Sequence, residues 1–165
     1  MMAKFFLGLA IIAFTSFCGY ILAKKYRIRK LFFAQFVEFN DRFLNEIAYY
    51  RRPLTEFLLK YSYKGAFGLL IEKLVENLDN APIVLEEILT CNEFSFLTRD
   101  EKAETTEYFL NLGRGDSSSQ KNCFSSYKPR LQNKQSETEI SCKKYGDLYV
   151  KLGFLCGLLI LILII

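Results

Sequence analysis

The chain has 165 residues, about one domain's worth, with 22 Lys+Arg against 18 Asp+Glu and a formal net charge of +4. It has no histidine, which excludes histidine-based triads and most zinc and di-iron ligand sets. Its hydrophobic content of 51% is only slightly high, but the apolar residues crowd the two ends.

The first predicted element is a membrane helix. Phe5 to Ala23 runs 19 residues without a charge. At 1.5 Å per residue that is roughly 28 Å, close to the thickness of a bilayer core. A cleaved signal peptide is the competing reading. It fits less well, because the apolar run continues past Thr15 and Ser16 to Ala23 before the charges begin. Lipid modification at Cys18 would need a small residue before it, and Phe17 stands there. Residues 24–30 (KKYRIRK) then carry five positive charges.

Helical periodicity dominates the middle of the chain. Phe32, Phe36, Phe39, Phe43, Ile47 and Tyr50 recur at steps of three or four, widened by Phe33, Val37 and Leu44. Glu38, Asp41, Arg42 and Asn45 fall mostly outside this stripe, and Glu38 with Arg42 forms a favourable i,i+4 pair. One helix is predicted from the membrane to about Arg52, where Pro53 interrupts it. The phenylalanines read as core in preference to a docking face. A short second helix follows, with Leu54, Phe57, Leu58 and Tyr61 inward and Gly65 at its end. A third carries Phe67, Leu70, Ile71, Leu74, Val75 and Leu78 and is broken by Asp79, Asn80 and Pro82. Val84, Leu85, Ile88 and Leu89 suggest a short fourth.

The next start signal is sharper. Thr98 to Glu101 fits a capping box, in which hydroxyl and carboxylate each satisfy an orphan amide. That helix carries Ala103, Tyr108, Phe109 and Leu112, and Gly113 fits a left-handed C-cap. Asp116 can then cap the last helix, its carboxylate against the positive end of the helix dipole. This helix is long and polar, with Phe124, Tyr127, Leu131, Thr138, Cys142, Tyr145, Tyr149 and Leu152 on one stripe. Pro129 predicts a kink or break within it, costing about 3 kcal/mol relative to alanine.

The chain ends in a second membrane segment. Leu148 to Ile165 is 18 residues, roughly 27 Å, with Lys151 reaching to the interface. Residues 143–151 hold three lysines against Asp147, whereas residues 31–142 hold 13 basic and 17 acidic side chains. Both apolar ends therefore carry their positive flank towards the middle of the chain. The positive-inside bias puts that middle in the cytoplasm. A nucleic-acid binder would instead spread basic residues over its folded domain, so no nucleic-acid partner is expected. The expected fold is all-α: a helical bundle or hairpin of about six helices between two transmembrane helices. The expected divisions are 1–23, 24–147 and 148–165. Gly153 and Gly157 form a GxxxG, and Thr15, Gly19 and Ala23 form a row of small residues at the same spacing. Such faces let helices approach closely in lipid, whether within one chain or between two.

Little in the sequence carries chemistry. Cys18, Cys91, Cys123, Cys142 and Cys156 include no CxxC, and a cytoplasmic domain keeps thiols reduced. Glu86 with Glu87 and Asp100 with Glu101 read as surface carboxylates on solvated helix faces. No phosphate-binding glycine motif is present, and Arg114-Gly-Asp116 is too short to count as an adhesion motif. The expectation is no enzyme, no catalytic or metal-binding residue and no cofactor.

Several spaced motifs resemble the stage III sporulation protein AB family of endospore-forming bacteria. Gly19, Ala23, Tyr26 and Arg29 carry it near the first membrane exit. Glu46-Ile47-Ala48-Tyr49 leading to Pro53-Leu54 resembles the family's E-I-x-Y-x-x-x-P-L. Leu112 to Gln120 resembles L-G-x-x-D-x-x-x-Q, and Lys144-Tyr145, Leu148, Leu152-Gly153, Leu155 and Gly157 resemble the last helix. Arg52 stands where the family usually has threonine, and Leu44 where glutamate is common.

The resemblance implies a non-catalytic scaffold subunit of the assembly linking mother cell and forespore. Its cytoplasmic domain would be similar to that of platform protein F of type II secretion. The alternative is an inner-membrane platform subunit of a type II secretion or type IV pilus machine; a small membrane enzyme or toxin is a third reading. Implied partners are a secretion-type ATPase, other membrane subunits of the complex and membrane lipid, and a second copy of the chain is a candidate. The implied location is the mother-cell membrane around the forespore. Among the signature positions, Pro53, Gly113 and Asp116 read as helix breaker and caps. Glu46, Tyr49 and Gln120 read as interaction candidates or as a local network between the first and last helices. Gly153 and Gly157 read as membrane packing.

Overall fold

The structure, a computed structural model, describes residues 2–50 and 53–164, with side chains except those of residues 2–9, 50, 79, 163 and 164. Helix α1 spans Met2–Asn45 and widens into a π-helical turn over Glu46–Tyr50. Then come α2 (Leu54–Lys60), α3 (Gly65–Glu76), α4 (Ala81–Thr90) and α5 (Arg99–Asn111). Helix α6 (Ser117–Ser141), a second π turn (Cys142–Gly146) and α7 (Asp147–Ile164) follow one another without a break. Counted as continuous helices these are six, and no strand occurs among the described residues. The predicted end of the first helix near Arg52 lies outside the described residues.

The chain divides into two compact units, Met1–Lys30 with Glu137–Ile165, and Leu31–Ser136. The second is built around aromatic rings. Phe32, Phe36, Phe39 and Phe43 are all buried on α1, so the predicted stripe is core. Phe39 meets the rings of Phe57, Phe67 and Phe109 at centroid distances of 5.4, 5.7 and 5.6 Å. Tyr108 meets Phe36, Phe124 and Tyr127 edge-on at 4.7, 4.9 and 5.1 Å, within the range where ring pairs attract.

Polar side chains lie in that core too, Asn40 and Gln35 among them. The Tyr108 hydroxyl donates to Asn40 Oδ1 at 2.9 Å. The Gln35 amide donates to the Lys64 carbonyl at 2.7 Å and accepts from the Lys64 amide at 2.5 Å. Lys64 is the residue before α3, so Gln35 fixes where that helix enters. Gly65 does not end α2, which stops at Lys60; it opens α3, at φ +60, a conformation costly for a residue with a Cβ. Pro82 likewise falls in the first turn of α4, where proline's missing amide is no loss.

Burial pushes the Tyr108 hydroxyl well above its ordinary value of 10.0. The folded state therefore keeps this proton while the unfolded chain releases it. Stability is fully present below pH ~10 and declines as pH rises beyond it. Tyr108→Phe is expected to unfold at lower urea than wild type at pH 9, by about 1 kcal/mol for the lost hydrogen bond. It should lose less than wild type between pH 9 and 10.5. Urea midpoints falling equally in both proteins would contradict the assignment.

The Thr98–Glu101 capping box is present, with the Glu101 amide donating to Thr98 Oγ1 at 3.3 Å and the Thr98 amide to Glu101 Oε2 at 3.0 Å. Glu101 is not the solvated surface carboxylate expected: it is 2% exposed, with Lys134 of α6 at 3.5 Å from Oε1. A buried carboxylate is tolerated because both the cap and the cation compensate its lost hydration. Asp100, Glu86 and Glu87 are exposed.

Pro129 does not break α6, which runs through it. Pro129 and Ser125, whose carbonyl would otherwise accept the missing amide, are both exposed, so water can satisfy that carbonyl. Phe124, Tyr127 and Leu131 are buried on the other side and offset the cost. The helix changes its winding instead at Cys142–Gly146, where it widens into the π turn.

In the first unit, the start of α1 runs beside the end of α6 and α7. Tyr26 stacks on Tyr145 and Tyr149 at 5.5 and 5.9 Å. Arg29 pairs with Glu137 at 3.5 Å, and Lys30 with Glu139 at 3.3 Å.

Candidate functional site

Two places gather the residues singled out from the sequence. The first is a cavity of about 270 Å³ in the unit Leu31–Ser136, walled by Phe43, Glu46, Leu54, Gly113, Ser117 and Gln120. The α1 stripe delivers Phe43, and the π turn delivers Glu46. Helix α6 begins with Ser117 and delivers Gln120 one turn later. Glu46 is 4% exposed, and its Oε2 lies 3.7 Å from the Lys60 ammonium. The Gln120 amide donates to the Arg114 carbonyl at 3.2 Å. Glu46 and Gln120 are thus brought to one cavity. Tyr49 is not brought with them: it is 79% exposed on the same π turn.

The caps shape this cavity. Pro53 is extended and precedes α2 directly. Gly113 sits at φ +75, and a Cβ there would lie 3.1 Å from Leu54 Cδ2. Asp116 accepts from the Ser119 amide at 3.4 Å through Oδ1. Hydrogen bonds from the Ser119 hydroxyl, and from the Ser119 and Ser118 amides, hold the Asp116 carboxyl below the usual range.

The second place is the seam between α1 and α7. A Cβ built on Gly153 would lie 2.6 Å from the Thr15 carbonyl oxygen, and one built on Gly19 would lie 2.5 Å from that of Tyr149. A Cβ on Gly157 would run into Ile12 and Thr15. The two rows of small residues therefore face each other within one chain. Their other faces are apolar and outward: Phe14, Phe17, Ile21, Phe154, Leu155 and Leu159 are each at least half exposed. Among the described residues one helix, Ser117–Ile162, is long and apolar enough to cross a membrane. The Phe5–Ala23 segment is helical throughout, but its side chains before Ala10 lie outside those described.

Sequence reasoning missed Gln35, Asn40 and the burial of Glu101. Gln35 and Asn40 carried a signal, being polar residues at the spacing of the phenylalanine stripe. Glu101 carried none, because its partner Lys134 stands on another helix.

The family of stage III sporulation protein AB matches residues 4–165. The chain belongs to that family. It is accordingly a protein of the third stage of sporulation. No curated protein and no solved structure matches the chain. Of the residues singled out from the sequence, Glu46, Gly113 and Gln120 line the cavity, and Gly19, Gly153 and Gly157 lie at the α1–α7 seam.

Proposed function

We propose that this stage III sporulation protein is a non-catalytic scaffold subunit of the channel joining mother cell and forespore, held in the mother-cell membrane by two helices, with residues 24–147 in the cytoplasm. The observation that carries the reading is the α1–α7 pair. Its inner faces are glycines in backbone contact, and its outer faces are exposed Phe, Leu and Ile. In water such a surface drives aggregation; in lipid it is the normal exterior. The basic stretch 24–30 and Lys143–Lys144 lie at the same end of the pair, where cytoplasmic flanks carry their positive charge. A secretion-type ATPase and other membrane subunits are the partners of this reading, and the body Leu31–Ser136 is the part that would meet the ATPase.

Deletion in the source organism is expected to halt development after engulfment, and normal spore yield would refute the scaffold role. An impermeant thiol reagent added to intact cells should leave Cys91 and Cys123 unlabelled. Labelling of either in sealed cells would overturn the orientation.

A further inference from the structure

Helices α4 and α5 leave a groove between them on the surface of the Leu31–Ser136 unit, of about 560 Å³. Its lining is apolar along the floor, with Pro82 and Leu89 from α4 and Ala103 and Leu110 from α5. Leu89 is buried, and Ala103 is open to solvent. Each wall carries one exposed carboxylate, Glu86 on α4 and Glu107 on α5; Lys102 is the single cation in the lining. The acidity extends beyond the groove: Glu72, Glu76, Glu87, Glu93 and Asp100 of the same stretch are exposed as well, against the exposed Arg99. The ten residues of α4 give the groove a length of about 15 Å, enough for nearly three turns of a second helix.

We propose that the α4–α5 groove is a docking site for a basic amphipathic helix of a protein partner, laid with its apolar side on Leu89, Ala103 and Leu110 and its lysines or arginines against Glu86 and Glu107. An apolar floor between acidic walls matches that chemistry on both counts, since helix-in-groove recognition takes its affinity from apolar anchors and its orientation from flanking charge. A second copy of the chain fits less well. The basic stretch 24–30 is already packed in its own chain, with Tyr26 on Tyr145 and Arg29 on Glu137, and α6 turns Lys121, Asn122, Ser125 and Arg130 outward with no large apolar residue among them to fill the floor. The proposal rests on the scaffold reading and names the surface through which the scaffold holds a partner. It is separate from the cavity at Glu46 and Gln120.

The test uses the full chain in phosphatidylcholine nanodiscs and a fluorescent 14-residue helical peptide of leucine and lysine, with binding to empty nanodiscs subtracted. Saturable binding is expected, weakened at least tenfold in the variant Glu86→Lys/Glu107→Lys and less in Glu86→Gln/Glu107→Gln. Both variants should keep the wild-type circular dichroism spectrum, because both side chains are exposed. A peptide with glutamate in place of lysine should not bind. No saturable binding, equal binding by wild type and the lysine variant, or equal binding of the glutamate peptide would each overturn the proposal. A photocrosslinker at Ala103 in sporulating cells gives the second readout. An adduct on a lysine- or arginine-rich helical segment of another protein, lost in the lysine variant, supports the proposal; an adduct on this chain itself or on an acidic segment overturns it. The scaffold reading is judged separately. A deletion that blocks sporulation, beside a charge-reversed strain that sporulates normally, would remove the groove and leave the scaffold standing.

Discussion

Gly153→Val is expected to force the two halves of the α1–α7 pair apart. The added Cβ alone would come within 2.6 Å of the Thr15 carbonyl oxygen, which is backbone and cannot swing aside as a side chain can. Gly19 Cα lies 3.3 Å from the same position, so sliding one helix along the other does not relieve the contact. In lipid there is no hydrophobic force to hold the helices together once this fit is lost, because the surrounding tails are as apolar as the helices. Overpacking of this kind costs about 1–3 kcal/mol in a soluble core. Under the proposed membrane setting it removes the main source of association, and the spacing should move towards the about 8–10 Å between axes of ordinary helix pairs. Spin labels at Phe17 and Leu155, two outward positions, in a cysteine-free chain in lipid bilayers report that spacing by pulsed resonance. The distance should lengthen in the order wild type, Gly153→Ala, Gly153→Val. An unchanged distribution in the valine variant would show that the seam is not a close contact.

Phe39→Ala should unfold the Leu31–Ser136 unit under mild conditions. Phe39 is fully buried, and its ring touches those of Phe43, Phe57, Tyr63, Phe67, Tyr108 and Phe109. It joins rings from α1, α2, α3 and α5, so no single neighbour can collapse into the vacated space. Phenylalanine truncations in such settings cost about 3–5 kcal/mol, against about 5–15 kcal/mol for a whole domain. The chain has no tryptophan, so near-ultraviolet tyrosine dichroism of the full chain in nonionic detergent is the probe for urea unfolding. Phe39→Leu, which keeps most of the volume, should lose less than half as much. A midpoint for the alanine variant within experimental scatter of wild type would mean that the cluster is not a cooperative core.

The parts of this fold that were legible in advance depend on neighbours in the chain. Phe32, Phe36, Phe39 and Phe43 lie on one face because a helix turns every 3.6 residues, whatever packs there. The Thr98–Glu101 box and the left-handed Gly113 are closed by groups within a few residues. The candidate site was legible to a lesser degree. Glu46 and Gln120 could be picked out, but their meeting at one cavity could not, since it depends on how α1, α2 and α6 pack. Tyr49 stood beside Glu46 in the same motif, and the π turn sends it to solvent instead.

Sequence alone therefore determined the helical class, the two apolar ends with their basic flanks, and the aromatic face of α1, because each rests on composition or on a helical repeat. Tertiary structure decided the rest. It buried Glu101 against Lys134, carried α6 through Pro129 on the anchorage of Tyr127 and Leu131, and set Gly19 against Gly153 within one chain. The reason is common to all three: a buried charge, a tolerated proline and a glycine contact each take their energy from atoms on another part of the chain, and no local pattern encodes which atoms those are.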